Sequence, residues 1–254
     1  CDAAHQQLLP VKQLGSEYVG VRYRARRLGL DPVDEEVPWR VVGAVDGTTL
    51  TYVPAGPPGA PTTLARGELV EFWSKDPFVV KSQDADHPFY IGAYMTGGEA
   101  LLSDPNAPGA QGFLGEGDPE WVNVVPVGQF LDSYVFFTDP TYPETNLVVI
   151  RKKNDQGAFA DVTLECAGTI DGWQALGDYE WTRVDISTGN FQTVDGCQNG
   201  RQRMTSTAPF GVTVWGWGSV TFGPSNAYTA YTSYAYPAGM GTKLINEVEI
   251  PVVK

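Results

Sequence analysis

The protein has 254 residues, of which 29 are Gly, 19 are Pro and only 19% are charged. Gly and Pro destabilise helix interiors, so this composition argues against long helices, while 42% apolar residues are enough to form a core. The formal net charge of −13 excludes a nucleic-acid binder of the usual kind, because such proteins neutralise phosphates with clustered Lys and Arg.

Strand signals dominate the first half of the chain. Two apolar segments flank Asp46-Gly47, and this pattern predicts a β-hairpin formed by residues 39–45 and 48–53. Further strands are expected at residues 18–24, 69–73, 78–81 and 89–95. The Gly- and Pro-rich segments 54–61 and 97–117 are expected to form long loops.

The second half has the same character. Strands are expected at residues 133–137, 146–150, 159–166, 179–186, 201–205, 210–217, 232–236 and 245–253. Only residues 127–131 indicate a helical turn. Short strands at this spacing, separated by turn signals, are typical of a β-sandwich or barrel. The predicted fold is therefore all-β, with long Gly- and Pro-rich loops and little helix.

Three short blocks recur in the same order in the two halves. They pair residues 14–19 with 131–135, residues 47–51 with 161–165, and residues 74–80 with 206–212. The third pair shares the pattern Ser-x-x-Pro-Phe-x-Val. The repetition predicts an internal duplication, with two related antiparallel β-sandwich-like units at residues 1–127 and 128–254 packed as one body. The alternative is chance identity between short β segments.

The three cysteines are Cys1, Cys166 and Cys197, and their spacing fits no zinc-binding pattern. A disulfide between Cys166 and Cys197 is predicted, with two unpaired buried thiols as the alternative. It would close a loop of about 30 residues, add roughly 3 kcal/mol of stability and indicate an oxidising compartment. Cys1 fits a lipid-carrying N-terminus, a bridge to an upstream cysteine of a longer protein, or a bridge to Cys166 or Cys197.

Acidic residues provide the candidates for metal binding and for catalysis. Asp84, Asp86 and His87 form a polar cluster that is a candidate site for Ca²⁺, although such a run more often builds a turn. No Gly-x-Ser-x-Gly motif is present, and two histidines make a Ser-His-Asp relay hard to place. A glycosidase would need two carboxylates in one cleft. The candidates are Asp84, Asp86, Asp118, Glu120, Asp139 and Glu144.

Aromatic residues are concentrated towards the C-terminal end. Trp215 and Trp217 lie two residues apart on one face of a predicted strand, and Tyr228, Tyr231 and Tyr234 follow. An exposed row of this kind would bind a protein or stack on sugar rings. A buried row would instead be part of a sandwich core, which is the commoner arrangement.

Several longer strings resemble a known family when they are taken together. They are Pro77-Phe-Val-Val-Lys-Ser-Gln83 with His87-Pro-Phe-Tyr-Ile-Gly-Ala-Tyr-Met-Thr-Gly97, Tyr134-Val-Phe-Phe-Thr-Asp-Pro-Thr-Tyr-Pro-Glu-Thr-Asn146, and Val214-Trp-Gly-Trp-Gly218 with Ser233-Tyr-Ala-Tyr-Pro-Ala-Gly239. They resemble the bacterial branch of the IgGFc-binding protein N-terminal domain family over nearly the whole chain. The resemblance implies a secreted or surface-exposed, non-catalytic module of a longer protein, with no cofactor. It favours a fragment start over a lipid anchor at Cys1, and IgG binding itself is not expected.

These observations together predict a non-enzymatic extracellular or cell-surface module for binding or adhesion. Its protein or glycan partner would contact the loops 54–61, 97–117 and 223–227 and any exposed members of the aromatic row. The alternatives are a carbohydrate-active enzyme and a purely architectural surface domain. No nucleic-acid partner is expected, and no membrane span either, because no segment approaches about 18 consecutive apolar residues.

Overall fold

The computed structural model describes residues 5–26, 35–98, 116–219 and 229–249, and over these ranges the fold is all-β. Two short 3-10 turns, Val11–Gln13 and Val127–Gln129, each precede a strand at the start of one half of the chain. The second of them is the helical turn that the sequence indicates. The strands are β1 (Glu17–Gly20), β2 (Val37–Gly43), β3 (Thr48–Val53), β4 (Thr63–Leu64), β5 (Leu69–Ser74), β6 (Phe78–Ser82), β7 (Phe89–Met95), β8 (Glu120–Asn123), β9 (Leu131–Thr138), β10 (Glu144–Lys152), β11 (Val162–Leu164), β12 (Gly168–Thr169), β13 (Gln174–Leu176), β14 (Tyr179–Thr188), β15 (Gln192–Thr193), β16 (Gly200–Trp217) and β17 (Ser233–Pro237).

The first half forms two four-stranded antiparallel sheets, in the orders β1-β6-β3-β4 and β5-β2-β7-β8. Alternate residues of each strand face the space between the sheets, as the pleat of a strand requires. Trp39, Phe72 and Phe78 meet there, with the ring of Phe78 5.0 Å from that of Trp39 and 5.6 Å from that of Phe72. Aromatic side chains therefore fill the centre of this sandwich.

The predicted hairpin of residues 39–45 and 48–53 is wrong. The turn at Asp46-Gly47 does form, and the Asp46 carboxylate accepts a hydrogen bond of 2.9 Å from the backbone N–H of Arg66. However, β2 pairs with β5 and β7, whereas β3 pairs with β4 and β6 in the other sheet. The chain crosses between the sheets here because both strands must turn their apolar side chains into the same core.

The second half forms one nine-stranded sheet that curls as a half barrel. Its curl depends on β16, which runs as one strand where the sequence predicts two. The first part of β16 pairs with β9 and β11, and the part from Phe210 onward pairs with β10 and β17. The register shifts between Thr205 and Phe210, where the strand passes from one set of neighbours to the other. The strand predicted at 245–253 is not formed over its described part, 245–249.

The strands of the two halves follow the same order. The sheet β1-β6-β3-β4 corresponds to β9, the first part of β16, β11 and β12. The sheet β5-β2-β7-β8 corresponds to β14, β10, the second part of β16 and β17. Thus β6 and β7, which are separate strands in the first half, are continuous in the second half. The shared order supports the predicted duplication, which stays a prediction.

A buried tyrosine occupies the same place in each half. The Tyr18 hydroxyl donates to the carbonyl of Phe89, and the rings of these residues lie 4.8 Å apart. The Tyr134 hydroxyl donates to the carbonyl of Phe210, at a ring distance of 4.9 Å. Phe89 is therefore the structural counterpart of Phe210. The third sequence block aligned Phe210 with Phe78 instead, and that alignment is wrong, because Phe78 lies in β6 opposite β1.

The apolar core has two parts, and β10 contributes to both. Leu147 and Val149 point into the interior of the second half, with Phe210 and Val212. Val148 and Ile150, on the opposite face of β10, join a larger cluster with the core of the first half. Because this sheet is covered on both faces, β10 is buried over nearly its whole length, and its centre, Leu147 to Ile150, is a continuous apolar run. The two halves consequently pack as one body.

Candidate functional site

The outer face of the sheet β5-β2-β7-β8 carries a group of aromatic residues that are partly or largely exposed. In β7, Phe89, Ile91 and Ala93 face the core, so Tyr90 and Tyr94 lie on the outer side. We call this surface the aromatic face. It comprises Arg40, Leu69, Glu71, Trp73, Tyr90, Tyr94 and Trp121.

A row of interacting side chains crosses the four strands of the aromatic face. The guanidinium of Arg40 donates to the carboxylate of Glu71 at 2.8 Å and lies 4.6 Å from the centroid of the Tyr94 ring. On the other side, Tyr94 stacks on Trp121 with a centroid distance of 5.8 Å and an interplanar angle of 13°. The hydrogen bond from Arg40 to Glu71 also raises the pKa of Arg40, which stays charged. Tyr94 is thus held between a cation and an indole.

Tyr90 is wedged into the same surface beside a glycine. Its ring lies edge-on to Trp121 at 6.4 Å, and burial raises the pKa of its hydroxyl well above the ordinary value. A Cβ atom on Gly92 would come within 2.9 Å of the Tyr90 oxygen and 3.2 Å of the Tyr94 ring. Gly92 therefore leaves the room in which the two tyrosines pack, and the aromatic face has a fixed shape.

The side of this face on β5 is open to solvent. Leu69 is 57% exposed and Trp73 is 46% exposed, although both are large apolar residues. Trp, Tyr and Arg are the residue types that dominate binding energy at protein interfaces, and they contribute most when a partner excludes water from them. The arrangement can bind an apolar partner surface, and Arg40 and Glu71 supply polar contacts beside it.

The predicted aromatic row at the C-terminal end is not on the surface, and this expectation is corrected. Trp215 and Trp217 are fully buried, and Tyr23 packs against them at ring distances of 4.9 and 5.9 Å. The cause is tertiary: the first half covers the face of β16 that carries the two indoles. Trp215 and Trp217 therefore stabilise the buried contact between the two halves, which we call the seam.

The tyrosines of that row have different positions. Tyr234 is partly buried, and its hydroxyl accepts a hydrogen bond from the backbone N–H of Asp139 at 3.1 Å and lies 3.2 Å from the hydroxyl of Thr145. Tyr231 is exposed and has a positive φ of 54°. Tyr228 lies outside the described residues. Among the described members, only Tyr231 is available as a surface contact.

The polar cluster proposed for a metal forms a turn between β6 and β7. Asp84 accepts hydrogen bonds from the backbone N–H of Asp86 at 3.0 Å and from His87 Nδ1 at 2.6 Å. The hydrogen bond from His87 lowers the pKa of Asp84. Within the described ranges, no group of three His, Cys, Asp or Glu side chains could hold a metal ion. The side chains serve the turn, so the expectation of a Ca²⁺ site here is corrected.

The other candidate carboxylates are dispersed. Asp118 and Glu120 lie at the start of β8, and Asp139 bonds the backbone N–H of Thr141 in its own turn at 2.8 Å. Glu144 is buried and forms an ion pair with Arg24. Burial raises the pKa of Glu144, and the charge of Arg24 opposes that rise.

The cysteine pair and the loops complete the predicted features. Cys166 and Cys197 form a disulfide, as the sequence predicts. The loop 54–61 is fixed to the sandwich by a hydrogen bond of 2.8 Å from the Tyr52 hydroxyl to the carbonyl of Pro61. Most of the loop 97–117, all of 223–227, and Cys1 lie outside the described residues. No helix of the described chain is long and apolar enough to cross a membrane.

Comparison with known families identifies the group to which the chain belongs. A family model described as IgGFc binding protein matches residues 1–216. The chain belongs to this family. Membership indicates an extracellular module that binds protein, and the family is one of binding modules. No curated protein and no solved structure matches the chain.

Proposed function

We propose that this chain is a non-enzymatic extracellular module that binds a partner protein through the aromatic face. The observation that carries the proposal is the exposure of Leu69 and Trp73 beside the packed row of Arg40, Tyr94 and Trp121. Large apolar side chains that stay in contact with water and are flanked by polar groups can mark a protein interaction site. Family membership independently supports the protein partner in this proposal.

The packing of Tyr94 favours a protein over a glycan. A sugar ring binds to an aromatic side chain by stacking on a free ring face. Tyr94 lies between Arg40 and Trp121, which occupy the space over its ring. The exposed apolar groups that remain, Leu69 and Trp73, lie on either side of Glu71 on β5 and can contact a partner's apolar side chains.

The contacts of the candidate carboxylates support a non-enzymatic role. Glu144 is paired with Arg24, and Asp84 and Asp139 accept backbone hydrogen bonds within their own turns. The disulfide fits an oxidising extracellular setting. The net charge of −13 disfavours strongly acidic partners, so we expect a partner with a neutral or basic contact surface.

Two leucines provide a matched test. Leu69 on the aromatic face and Leu244, outside it, are 57% and 63% exposed. The wild-type chain is immobilised and screened against a panel of extracellular proteins that includes purified IgG Fc fragment, and against a glycan array. We expect protein ligands whose affinity falls about tenfold in Leu69→Ala and more in Trp73→Ala, but is unchanged in Leu244→Ala. Equal losses in Leu69→Ala and Leu244→Ala, or binding to glycans alone, would contradict the proposal.

A further inference from the structure

The two halves of the chain are joined face to face. Side chains on the outer side of β1 and β6 pack on the outer side of β10, β14 and β16. Glu17 of β1 pairs with Lys152 of β10 at 3.1 Å and accepts a hydrogen bond from the hydroxyl of Tyr179 in β14. Nearby, Val19 lines one small cavity together with Val148, Ile150 and Trp215. The first half thus supplies a joining face, on β1, on β6 and on the residues that follow β1, among them Tyr23 and Arg24. The second half supplies a receiving face, on β10, β14 and β16.

The shared strand order locates the counterpart of each face in the other half. The receiving face of the second half lies on β14, β10, β16 and β17, which correspond to β5, β2, β7 and β8. The outer side of those four strands is the aromatic face. Trp215 in β16 has Tyr94 in β7 as its counterpart, and Trp181 in β14 has Leu69 in β5. The first half therefore has a receiving face of its own, and on this face Leu69 and Trp73 are exposed.

The joining face also has a counterpart, on the outer side of β9 and the first part of β16. Val135 corresponds to Val19, because each follows the buried tyrosine of its half. Val19 is 1% exposed, whereas Val135 is 64% and Phe137 is 57% exposed. Arg203 lies opposite Val135, and Arg201 lies opposite Phe137. We call this surface the β9 face.

We propose that the aromatic face of one copy receives the β9 face of a second copy, so that copies of this chain associate head to tail. The proposal rests on the proposed function, because it names a partner for the aromatic face. The contact between the two halves of one chain is the template for this association. There, the joining face of the first half already packs on the receiving face of the second half. Within the described residues, each copy leaves Leu69 and Trp73 of its receiving face and Val135 and Phe137 of its joining face exposed.

The charges of the two faces support this pairing. The β9 face carries the exposed cation Arg203, and also Arg201, which is paired with Glu165 at 2.7 Å. The aromatic face carries the exposed carboxylate of Glu71, which is paired with Arg40 at 2.8 Å. Opposite charges favour this orientation over contact between two identical faces. In a chain with a net charge of −13, contacts that do not use these cations are disfavoured by repulsion.

The test uses the fact that a head-to-tail contact joins two different surfaces. Phe137→Glu disables the β9 face and Trp73→Glu disables the aromatic face. Both residues are exposed, so both variants are expected to fold, and circular dichroism checks this. Val135→Lys is a second variant of the β9 face. Leu244→Glu introduces the same charge outside both faces and is the matched control.

Sedimentation velocity and equilibrium measure association from about 10 µM to about 1 mM, the range of weak transient interfaces. We expect the weight-average mass of the wild type and Leu244→Glu to rise with concentration. Phe137→Glu and Trp73→Glu should each stay monomeric alone. Their equimolar mixture should form a complex of two chains that grows no further, because each variant retains the face that the other lacks.

Three results would overturn the inference. The first is a wild type that stays monomeric up to about 1 mM, and the second is a Phe137→Glu or Val135→Lys variant that still associates with itself. The third is an equimolar mixture of Phe137→Glu and Trp73→Glu that stays monomeric although the wild type associates. The proposed function fails separately. If Trp73→Ala loses a captured extracellular protein while the wild type stays monomeric, the aromatic face binds protein and only the self-association is wrong. If Trp73→Ala keeps every captured protein, the proposed function is wrong.

Discussion

Replacing Arg24 with Met removes the cation that holds two carboxylates at the seam between the halves. The Arg24 Nε donates to Asp185 at 2.6 Å, its Nη2 pairs with Glu144, and its guanidinium lies 4.7 Å from the Trp217 ring centroid. The side chains of Arg24 and Glu144 are only 10% and 3% exposed. The substitution therefore leaves the Glu144 carboxylate charged and buried without its partner.

The expected loss of stability is large. Breaking a buried ion pair by removing one partner costs about 3–5 kcal/mol, and the loss of the Arg24 contact with Trp217 adds about 1 kcal/mol. Folded proteins of ordinary stability unfold with a free energy of about 5–15 kcal/mol. Urea titration followed by tryptophan fluorescence should therefore show a strongly lowered midpoint for Arg24→Met at neutral pH.

The pH dependence follows from Glu144. Its pKa is raised by burial, against the opposing charge of Arg24, so it should rise further when Arg24 is absent. A carboxyl whose folded pKa lies above its unfolded value contributes stability at low pH and loses it as the pH rises through the folded pKa. The stability deficit of Arg24→Met should therefore shrink as the pH falls towards the ordinary glutamate value of 4.5.

The double variant Arg24→Met/Glu144→Gln provides the control. It removes both charges of the buried pair, so we expect it to recover part of the stability lost by Arg24→Met alone at neutral pH. A loss below about 1 kcal/mol in Arg24→Met, or an equal loss at acidic and neutral pH, would refute this account of the seam.

Three further changes test other parts of the structure. Trp217→Ala should lower the free energy of unfolding by about 3–5 kcal/mol in urea titration, because the Trp217 indole is part of the buried core. A Trp217→Ala variant that loses protein capture but keeps its stability would contradict this. Reduction of the Cys166–Cys197 disulfide should lower the free energy of unfolding by about 3 kcal/mol in the same assay. An unchanged urea midpoint after reduction would contradict this prediction. Glu17→Gln should lower the midpoint of thermal unfolding at neutral pH. Burial raises the Glu17 pKa, but hydrogen bonds from Lys81, Tyr179 and Lys152 lower it overall. The deficit should therefore be full above pH 4.5 and should shrink as the pH falls below 4.5 through the lowered pKa. A deficit independent of pH would refute this.

The sequence predicts most strands because local alternation or short apolar runs mark them. Residues 89–95 form a run of aromatic, aliphatic and Gly residues after a proline, and β7 has these bounds. Pairing between strands is not encoded locally. The Asp46-Gly47 turn is compatible with a hairpin, but β2 and β3 join different sheets, because the choice depends on partners distant in the chain. The union of two predicted strands in β16 has the same cause.

The candidate site is harder to predict for a related reason. Alternation shows that Trp215 and Trp217 share one face of a strand, and that Tyr90 and Tyr94 share another. It does not show which of these faces the other half of the chain covers. The structure buries Trp215 and Trp217 under the first half and leaves part of the aromatic face open. The pairing of Tyr90 and Tyr94 with Trp121 across β7 and β8 follows only from the register.

Hydroxyl-radical footprinting of the chain with and without a captured protein ligand tests the binding account most directly. Trp73 on the aromatic face and Tyr231 outside it are 46% and 41% exposed, and both react readily with hydroxyl radicals. If the aromatic face binds the ligand, oxidation of Trp73 falls severalfold on binding and oxidation of Tyr231 is unchanged. Protection of Tyr231 with Trp73 still fully reactive would place the contact elsewhere and contradict the account.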